Sequence, residues 1–279
     1  MTIPQPLLIV SDIDGTFVTS AERVTARLRE VVARVVDKQC AFALATGRPH
    51  RWLFPVLDQL PVAPVCATAN GAVLYDPQAD EVLSAAELDP AIMRTVVAQA
   101  RAALGPHVPL GVAVERCGGS VAGAGAADED LFVVSPDYVH TWDAQGFQVR
   151  AEAELLASPA VKLLLRREDL SSAQMYAAVA PAIDPAQAHV TYSMPDGLLE
   201  VAAPGITKQR AVAQLAQRYQ VPRERVICFG DMPNDIEMLR WAGLGVAMGN
   251  ASAEVKQAAD IVTTSNDDDG VARVLERWF

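Results

Sequence analysis

Five short apolar runs, each stopped abruptly by a polar residue beside glycine, constrain this chain more than any other feature. Leu7–Val10 ends in Ser11-Asp12-Ile13-Asp14-Gly15, Cys40–Ala45 in Thr46-Gly47, and Val65–Ala69 in Asn70-Gly71. Further on, Val226–Phe229 stops at Gly230-Asp231 and Leu244–Met248 at Gly249-Asn250. Between the first two runs, Val24, Leu28, Val31, Val32, Val35 and Val36 recur at helical period. Thr19 and Glu22 have capping-box spacing and predict where that helix begins. Apolar strands alternating with amphipathic helices need cover on both faces. They predict an α/β fold built on a doubly wound, mostly parallel, Rossmann-like sheet.

Residues 1–85 and 197–279 follow this pattern and are expected to form one α/β domain. In the second stretch Lys208–Tyr219 reads as a helix, with Ala211, Val212, Leu215, Ala216 and Tyr219 on one face, and another helix starts near Asp235. Residues 86–196 differ. A helix over Pro90–Leu104 precedes spaced strands at Val112–Glu115, Leu131–Val134, Val161–Leu165 and Val190–Tyr192, which reads as an inserted α+β domain. Between Cys117 and Ala127 an uncharged Gly/Ala stretch, with Gly118, Gly119, Gly123 and Gly125, is expected to form a mobile loop. The length of 279 residues accommodates two domains at roughly 150 residues each.

Composition narrows the partners. With 51% hydrophobic and 20% charged residues the chain can bury a sizeable core, and a formal net charge of −11 argues against nucleic acid or an anionic membrane. No apolar run approaches the ~20 residues that span a bilayer. No Lys or Arg precedes Arg23, so a secretory leader is not expected. Cys40, Cys66, Cys117 and Cys228 form no CxxC pair, which fits reduced thiols and a cytoplasmic protein.

In a doubly wound sheet, ligands bind beyond the carboxyl ends of the strands. Asp12, Asp14, Thr46, Asn70 and Asp231 all fall at such ends. Three carboxylates on one edge repel each other unless a hard cation holds them, and Mg²⁺ prefers oxygen ligands of this type. Lys208 lies in the first turn of its helix, where a cation opposes the macrodipole unless an anion sits there too. A divalent cation, a lysine, a hydroxyl and a further carboxylate together make a phosphoryl-transfer set.

These residues carry a resemblance. Asp12-Ile13-Asp14-Gly15-Thr16, Thr46-Gly47-Arg48, Lys208 and Gly230-Asp231-Met232-Pro233-Asn234-Asp235 resemble the four motifs of the haloacid dehalogenase superfamily. Asn70-Gly71-Ala72, Ala247-Met248-Gly249-Asn250-Ala251 and the position of the insertion resemble its Cof-type phosphatases with a type II-B cap. The resemblance implies that Asp12 is the nucleophile, forming an aspartyl-phosphate, and Asp14 the general acid/base. It implies that Thr46, Gly47 and Lys208 bind the phosphoryl group, with Arg48, Asn70 and Asn234 at the phosphate or substrate. Mg²⁺ is expected on Asp12, the Asp14 carbonyl and Asp231, with Asp235 in support. The cap is expected to close over the core, exclude water and choose the leaving group.

Other features have quieter readings. Asp267, Asp268 and Asp269 precede the last apolar helix and are expected to cap it. The histidines His50, His107, His140 and His189 are too dispersed for a ligand set, and Glu200 is expected to be structural. Lys162 and Arg166 share one face of a strand and are the best sequence candidates for cap residues facing substrate. The expected activity is hydrolysis of a small-molecule phosphate ester, such as a sugar phosphate, nucleotide or cofactor fragment.

A phosphomutase of the same superfamily is the alternative. It must hold two phosphates, yet residues 86–196 carry 7 Lys/Arg against 14 Asp/Glu. A non-catalytic phosphometabolite-binding or phospho-accepting protein has no need of Asp14, which makes an acyl phosphate short-lived. Dehalogenase or phosphonate chemistry needs no acid there either, because only an oxygen leaving group takes that proton.

Overall fold

The structure is a computed structural model and describes residues 4–105, 109–119, 121, 128–140 and 146–279. In chain order its strands are β1 (Leu8–Ser11), β2 (Ala41–Ala45), β3 (Cys66–Thr68), β4 (Val73–Asp76), β5 (Glu81–Ala85), β6 (Gly111–Glu115) and β7 (Phe132–Val134). There follow β8 (Gln148–Val149), β9 (Lys162–Arg166), β10 (His189–Thr191), β11 (Leu198–Ala202), β12 (Val226–Gly230), β13 (Leu244–Ala247) and β14 (Ile261–Val262). The chain divides into two compact units, one of Met1–Leu83 with Thr207–Phe279 and one of Ser84–Ile206.

The first unit holds an eight-stranded sheet in the order β14-β13-β12-β1-β2-β3-β4-β5. From β14 to β3 all neighbours are parallel, and β4 runs antiparallel to β3. The chain steps outward from β1 through β2 and β3, then restarts at β12 on the other side of β1 and steps away through β13. The topological switch therefore falls between β1 and β12, where such sheets bind ligands. Every residue of β1 and β12 is buried, as a sheet covered on both faces requires. On one face Leu8, Val10, Ala43 and Ala45 pack with Ala211, Val212 and Leu215 of the helix Lys208–Arg218.

The first helix corrects the capping expectation. It spans Ala26–Asp37, and Thr25, not Thr19, is its cap, with Oγ1 accepting from the Leu28 N–H at 3.1 Å. Thr19 and Glu22 instead close a tight turn, with Glu22 at φ 56°. Leu28, Val31, Val32 and Val35 are buried, whereas Val36 is exposed. The acids near the C-terminus also differ from expectation. Asp269 precedes the helix Gly270–Leu275 but makes no side-chain cap bond. It accepts from Thr25 Oγ1 at 2.5 Å, and Asp267 accepts from the Ser20 N–H and hydroxyl. These carboxylates tie down the loop that follows Asp14, a role that sequence spacing cannot reveal.

The second unit holds a six-stranded sheet in the order β10-β11-β9-β6-β7-β8 with the helices Pro90–Leu104 and Ser172–Val179. It ends at Ile206, ten residues beyond the expected boundary at 196, because β11 pairs antiparallel with β9, Leu199 facing Leu165. That strand resembles the apolar strands of the first unit in composition, and only its pairing assigns it. Gly118 and Gly119 lie in irregular chain after β6, while Gly123 and Gly125 lie outside the described residues.

Candidate active site

Four parallel strands deliver the site. β1 ends at Ser11 and hands on to Asp12, β2 to Thr46, β3 to the turn containing Asn70, and β12 to Asp231. The chain after Asp12 reverses through Gly15, whose φ of +72° suits glycine, and a Cβ there would lie 2.3 Å from Asp231 Oδ2. Glycine thus lets the turn after the first strand touch the acid after the twelfth. Asn70 also takes a left-handed conformation, with φ 57°, and its N–H donates to the Thr46 carbonyl at 3.0 Å.

Side chains from distant positions meet at this edge. Lys208 Nζ donates to Asp12 Oδ1 at 2.5 Å and to Asp235 Oδ1 at 2.7 Å, and all three residues are buried. Asp235 Oδ2 accepts the main-chain N–H groups of Asp231 and Met232. Both Asp235 oxygens are therefore engaged in fixing the lysine and the loop after β12. Asp231 Oδ1 accepts from Thr16 Oγ1 at 2.8 Å, and its Oδ2 accepts from Asn250 Nδ2 at 3.2 Å. Asn234 Nδ2 donates to Asn70 Oδ1 at 3.0 Å, while the buried Asn234 Oδ1 has no partner among the described residues.

Carboxylate oxygens of Asp12, Asp231 and Asp235 all lie within 4.8 Å of one another. Burial raises the Asp12 carboxyl well above the usual range; Lys208 pulls it down, while Asp235 and Asp231 push it further up. Asp231 is pushed up to about 7, first by burial and then by Asp235, against the Thr16 hydrogen bond and Lys208. Burial alone disfavours the Lys208 ammonium, but Asp12 and Asp235 more than reverse this and hold its pKa above the ordinary value. When ionised, the three acids and one ammonium carry a formal charge of −2. One divalent cation balances it. An all-oxygen donor set of this charge fits Mg²⁺, and both oxygens of Asp12 and of Asp231 keep a lone pair for it, whereas Asp235 Oδ2 already accepts two N–H groups.

Not every residue singled out in the sequence joins this cluster. The Asp14 side chain is about half exposed and is gripped by Arg48. Thr46 is fully buried, with Oγ1 accepting the Arg48 N–H at 3.1 Å, and Gly47 lies between them. In the second unit Lys162 donates to Glu200 at 2.8 Å, both buried, which gives Glu200 a structural partner. Thr16 and Asn250 received no role from the sequence, yet both hold Asp231. Asn250 repeats the pattern of a polar residue stopping a strand, and that signal was available. All four cysteines are buried and none forms a disulfide. Among the described residues no helix is long and apolar enough to cross a membrane.

The family model of haloacid dehalogenase-like hydrolases matches residues 9–275. Two Bacillus subtilis enzymes, each named a 5-amino-6-(5-phospho-D-ribitylamino)uracil phosphatase, align along nearly the whole chain. YitU is 28% identical, covering 99% of this chain and 98% of its own; YcsE is 26% identical, covering 97% and 95%. The solved structure of a subclass IIB sugar phosphatase superposes with a TM-score of 0.77 at 22% identity, covering 97% of this chain and 98% of that one.

Proposed function

The chain belongs to the haloacid dehalogenase-like hydrolases as one of their phosphatases, and on that premise we propose a Mg²⁺-dependent phosphomonoesterase that works through an aspartyl-phosphate on Asp12. The observation that carries this reading is the buried contact of Lys208 with Asp12 and Asp235 beside Asp231. Lys208 spends two of its three N–H bonds on these acids and keeps the third for a phosphoryl oxygen. Its charge also works against the upward push of burial and of the neighbouring acids on Asp12, favouring the carboxylate that attack requires.

The free oxygen of Asp12 attacks phosphorus, and the bond from phosphorus to the ester oxygen breaks. Asp14, in its acid form, gives its proton to that leaving oxygen. Water then attacks phosphorus in the aspartyl-phosphate and yields a proton to Asp14, and the bond from phosphorus to the Asp12 oxygen breaks, which regenerates the Asp12 carboxylate and releases phosphate. Thr46 and the N–H of Gly47, at the end of β2, stabilise the equatorial oxygens with Lys208. Asp12, the Asp14 main-chain carbonyl and Asp231 would hold Mg²⁺, with Asp235 and Asn234 in support. When bound, the cation neutralises the acids and the developing phosphoryl charge.

The second unit selects the alcohol, and the substrate is a small phosphorylated metabolite. Two relatives are named for a pyrimidine carried on a ribityl phosphate, so that ester is the first to assay. The test is phosphate release across about a hundred phosphorylated metabolites with Mg²⁺ or EDTA, beside Asp12→Asn. Release by a few related esters, only with metal and only in the unaltered protein, supports the reading. No release from any ester, a generic aryl phosphate included, overturns it.

A further inference from the structure

Strand register sorts the second unit's sheet into two faces. Across β6 and β9, Glu115 pairs with Lys162, Ala113 with Leu164 and Gly111 with Arg166; across β9 and β11, Leu164 pairs with Glu200 and Arg166 with Leu198. These residues share one face. Ala113, Leu164 and Leu198 form an apolar cluster with Phe132, Val134 and Tyr138, which Phe147 and Met194 border. Neither helix contributes to it.

On this helix-free face Arg166 stands apart. It is 8% exposed, its Nε donates to the Val139 carbonyl at 3.3 Å, and its buried Nη1 has no partner among the described residues. No carboxylate pairs with it among the described residues. Tyr138, 6% exposed, likewise has a buried Oη without a partner among the described residues. The two lie together: a Cβ on Gly111, opposite Arg166, would approach the Tyr138 Cα to 2.7 Å. Both ring nitrogens of His140 also lack a hydrogen-bond partner among the described residues, and its ring centroid lies 4.1 Å from that of Phe147 and 5.2 Å from that of Tyr138. Unpaired buried donors are rare because each forfeits its hydration without replacement. Three such groups gather on one aromatic cluster.

Resting on the phosphatase reading above, we propose that this face is a subsite for an uncharged planar heterocycle bearing ring carbonyl oxygens, held by Arg166 and Tyr138. The guanidinium N–H donates to a ring carbonyl, and the phenol donates to a second carbonyl or accepts a ring N–H. The rings of Tyr138, His140 and Phe147 supply the apolar contact that a flat ring needs. Burial lowers the His140 pKa, so it offers a neutral imidazole. A second phosphate fits poorly. Glu115 and Glu200 are buried on the same face and Lys162 is already paired, so a dianion would meet two carboxylates in a site of low polarity.

Calorimetric titration in EDTA tests this apart from catalysis. The probes are 5-amino-6-(D-ribitylamino)uracil, ribitol and inorganic phosphate, against the unaltered protein, Tyr138→Phe and Arg166→Lys. The ring compound should bind, ribitol and phosphate should not displace it, and each variant should weaken it at least tenfold. In turnover, the ratio of kcat/KM for the ring-bearing phosphate to that for ribitol 5-phosphate should fall at least tenfold in both variants. Absence of ring binding, displacement by inorganic phosphate, or equal losses on both esters overturns the subsite. Ring binding without hydrolysis of any ester instead overturns the phosphatase reading and leaves the subsite standing.

Discussion

Arg48 holds both carboxylate oxygens of Asp14: Nε donates to Oδ2 at 2.9 Å and Nη2 to Oδ1 at 2.5 Å. The Arg48 side chain is 16% exposed and that of Asp14 54%, so the arginine is the anchored partner. Its own N–H donates to Thr46 Oγ1, which links the proposed acid/base to the proposed phosphoryl site through one residue. A half-exposed ion pair adds little stability, so its consequence is geometric.

Arg48→Ala should therefore lower kcat with little change in melting temperature. Proton transfer by a positioned group contributes about 10²–10⁴-fold, and loss of its orientation should cost about ten- to a hundredfold of that. Arg48→Lys should recover only part, because an ammonium cannot reproduce the two parallel bonds. Steady-state kinetics on an aryl phosphate decide it, and an unchanged kcat in Arg48→Ala refutes the coupling.

Asp12→Asn should abolish turnover, by more than about 10³-fold, because a neutral amide is a poor nucleophile. The variant should melt no lower than the unaltered protein in EDTA, since it removes one of three crowded carboxylates and leaves Lys208 paired with Asp235. Turnover near the normal rate would remove Asp12 from its role.

Asp14→Asn should separate the two chemical steps. A good leaving group needs no proton, so an aryl phosphate should still phosphorylate Asp12, while attack by water loses its base. Acid-quenched samples should contain near-stoichiometric phosphoenzyme, stable to acid and labile to hydroxylamine. Steady-state rates equal to those of the unaltered protein would exclude Asp14 as the base.

The buried acids make a signed pH prediction. Without metal, Asp231 has a folded pKa of about 7, above its ordinary carboxyl value, so the folded state binds the proton more tightly. That contribution to stability is complete below the unfolded pKa and is lost as pH rises through about 7. In EDTA the protein should melt higher at pH 5.5 than at pH 8. Mg²⁺ should reverse the order, because it binds the ionised acids. Melting curves at both pH values, with and without metal, decide it; the same pH order in both conditions refutes the metal assignment.

Gly15→Ala tests the turn that brings β1 to Asp231. Alanine at φ +72° costs about 1–2 kcal/mol, and its Cβ would displace Asp231 Oδ2. The Mg²⁺ concentration that half-restores activity should rise at least tenfold, read by metal titration. An unchanged midpoint would show that Asp231 need not stay where Gly15 permits it.

Much of the first unit was legible because its signals are local. Runs such as Cys40–Ala45 are buried whichever way the sheet is ordered, and the residue that stops each run must lie at its carboxyl end. Asp12, Thr46, Asn70 and Asp231 followed from that rule alone. Weak local signals failed. Thr19 with Glu22 matched a capping pattern, but the helix began where Thr25 could also bond Asp269, 244 residues away in sequence. β11 was invisible as part of the second sheet because antiparallel pairing with β9 depends on a partner over thirty residues distant.

The sequence by itself determined the α/β class and the residue types gathered at the carboxyl ends of the strands, since apolar periodicity and strand ends are properties of neighbours along the chain. Tertiary structure alone decided the pairings: Lys208 with Asp12 and Asp235, Arg48 with Asp14, Lys162 with Glu200. The physical reason is distance. A charge finds its partner through space, over a few ångströms and at a local dielectric set by burial, and neither quantity is written in the spacing of residues along a chain.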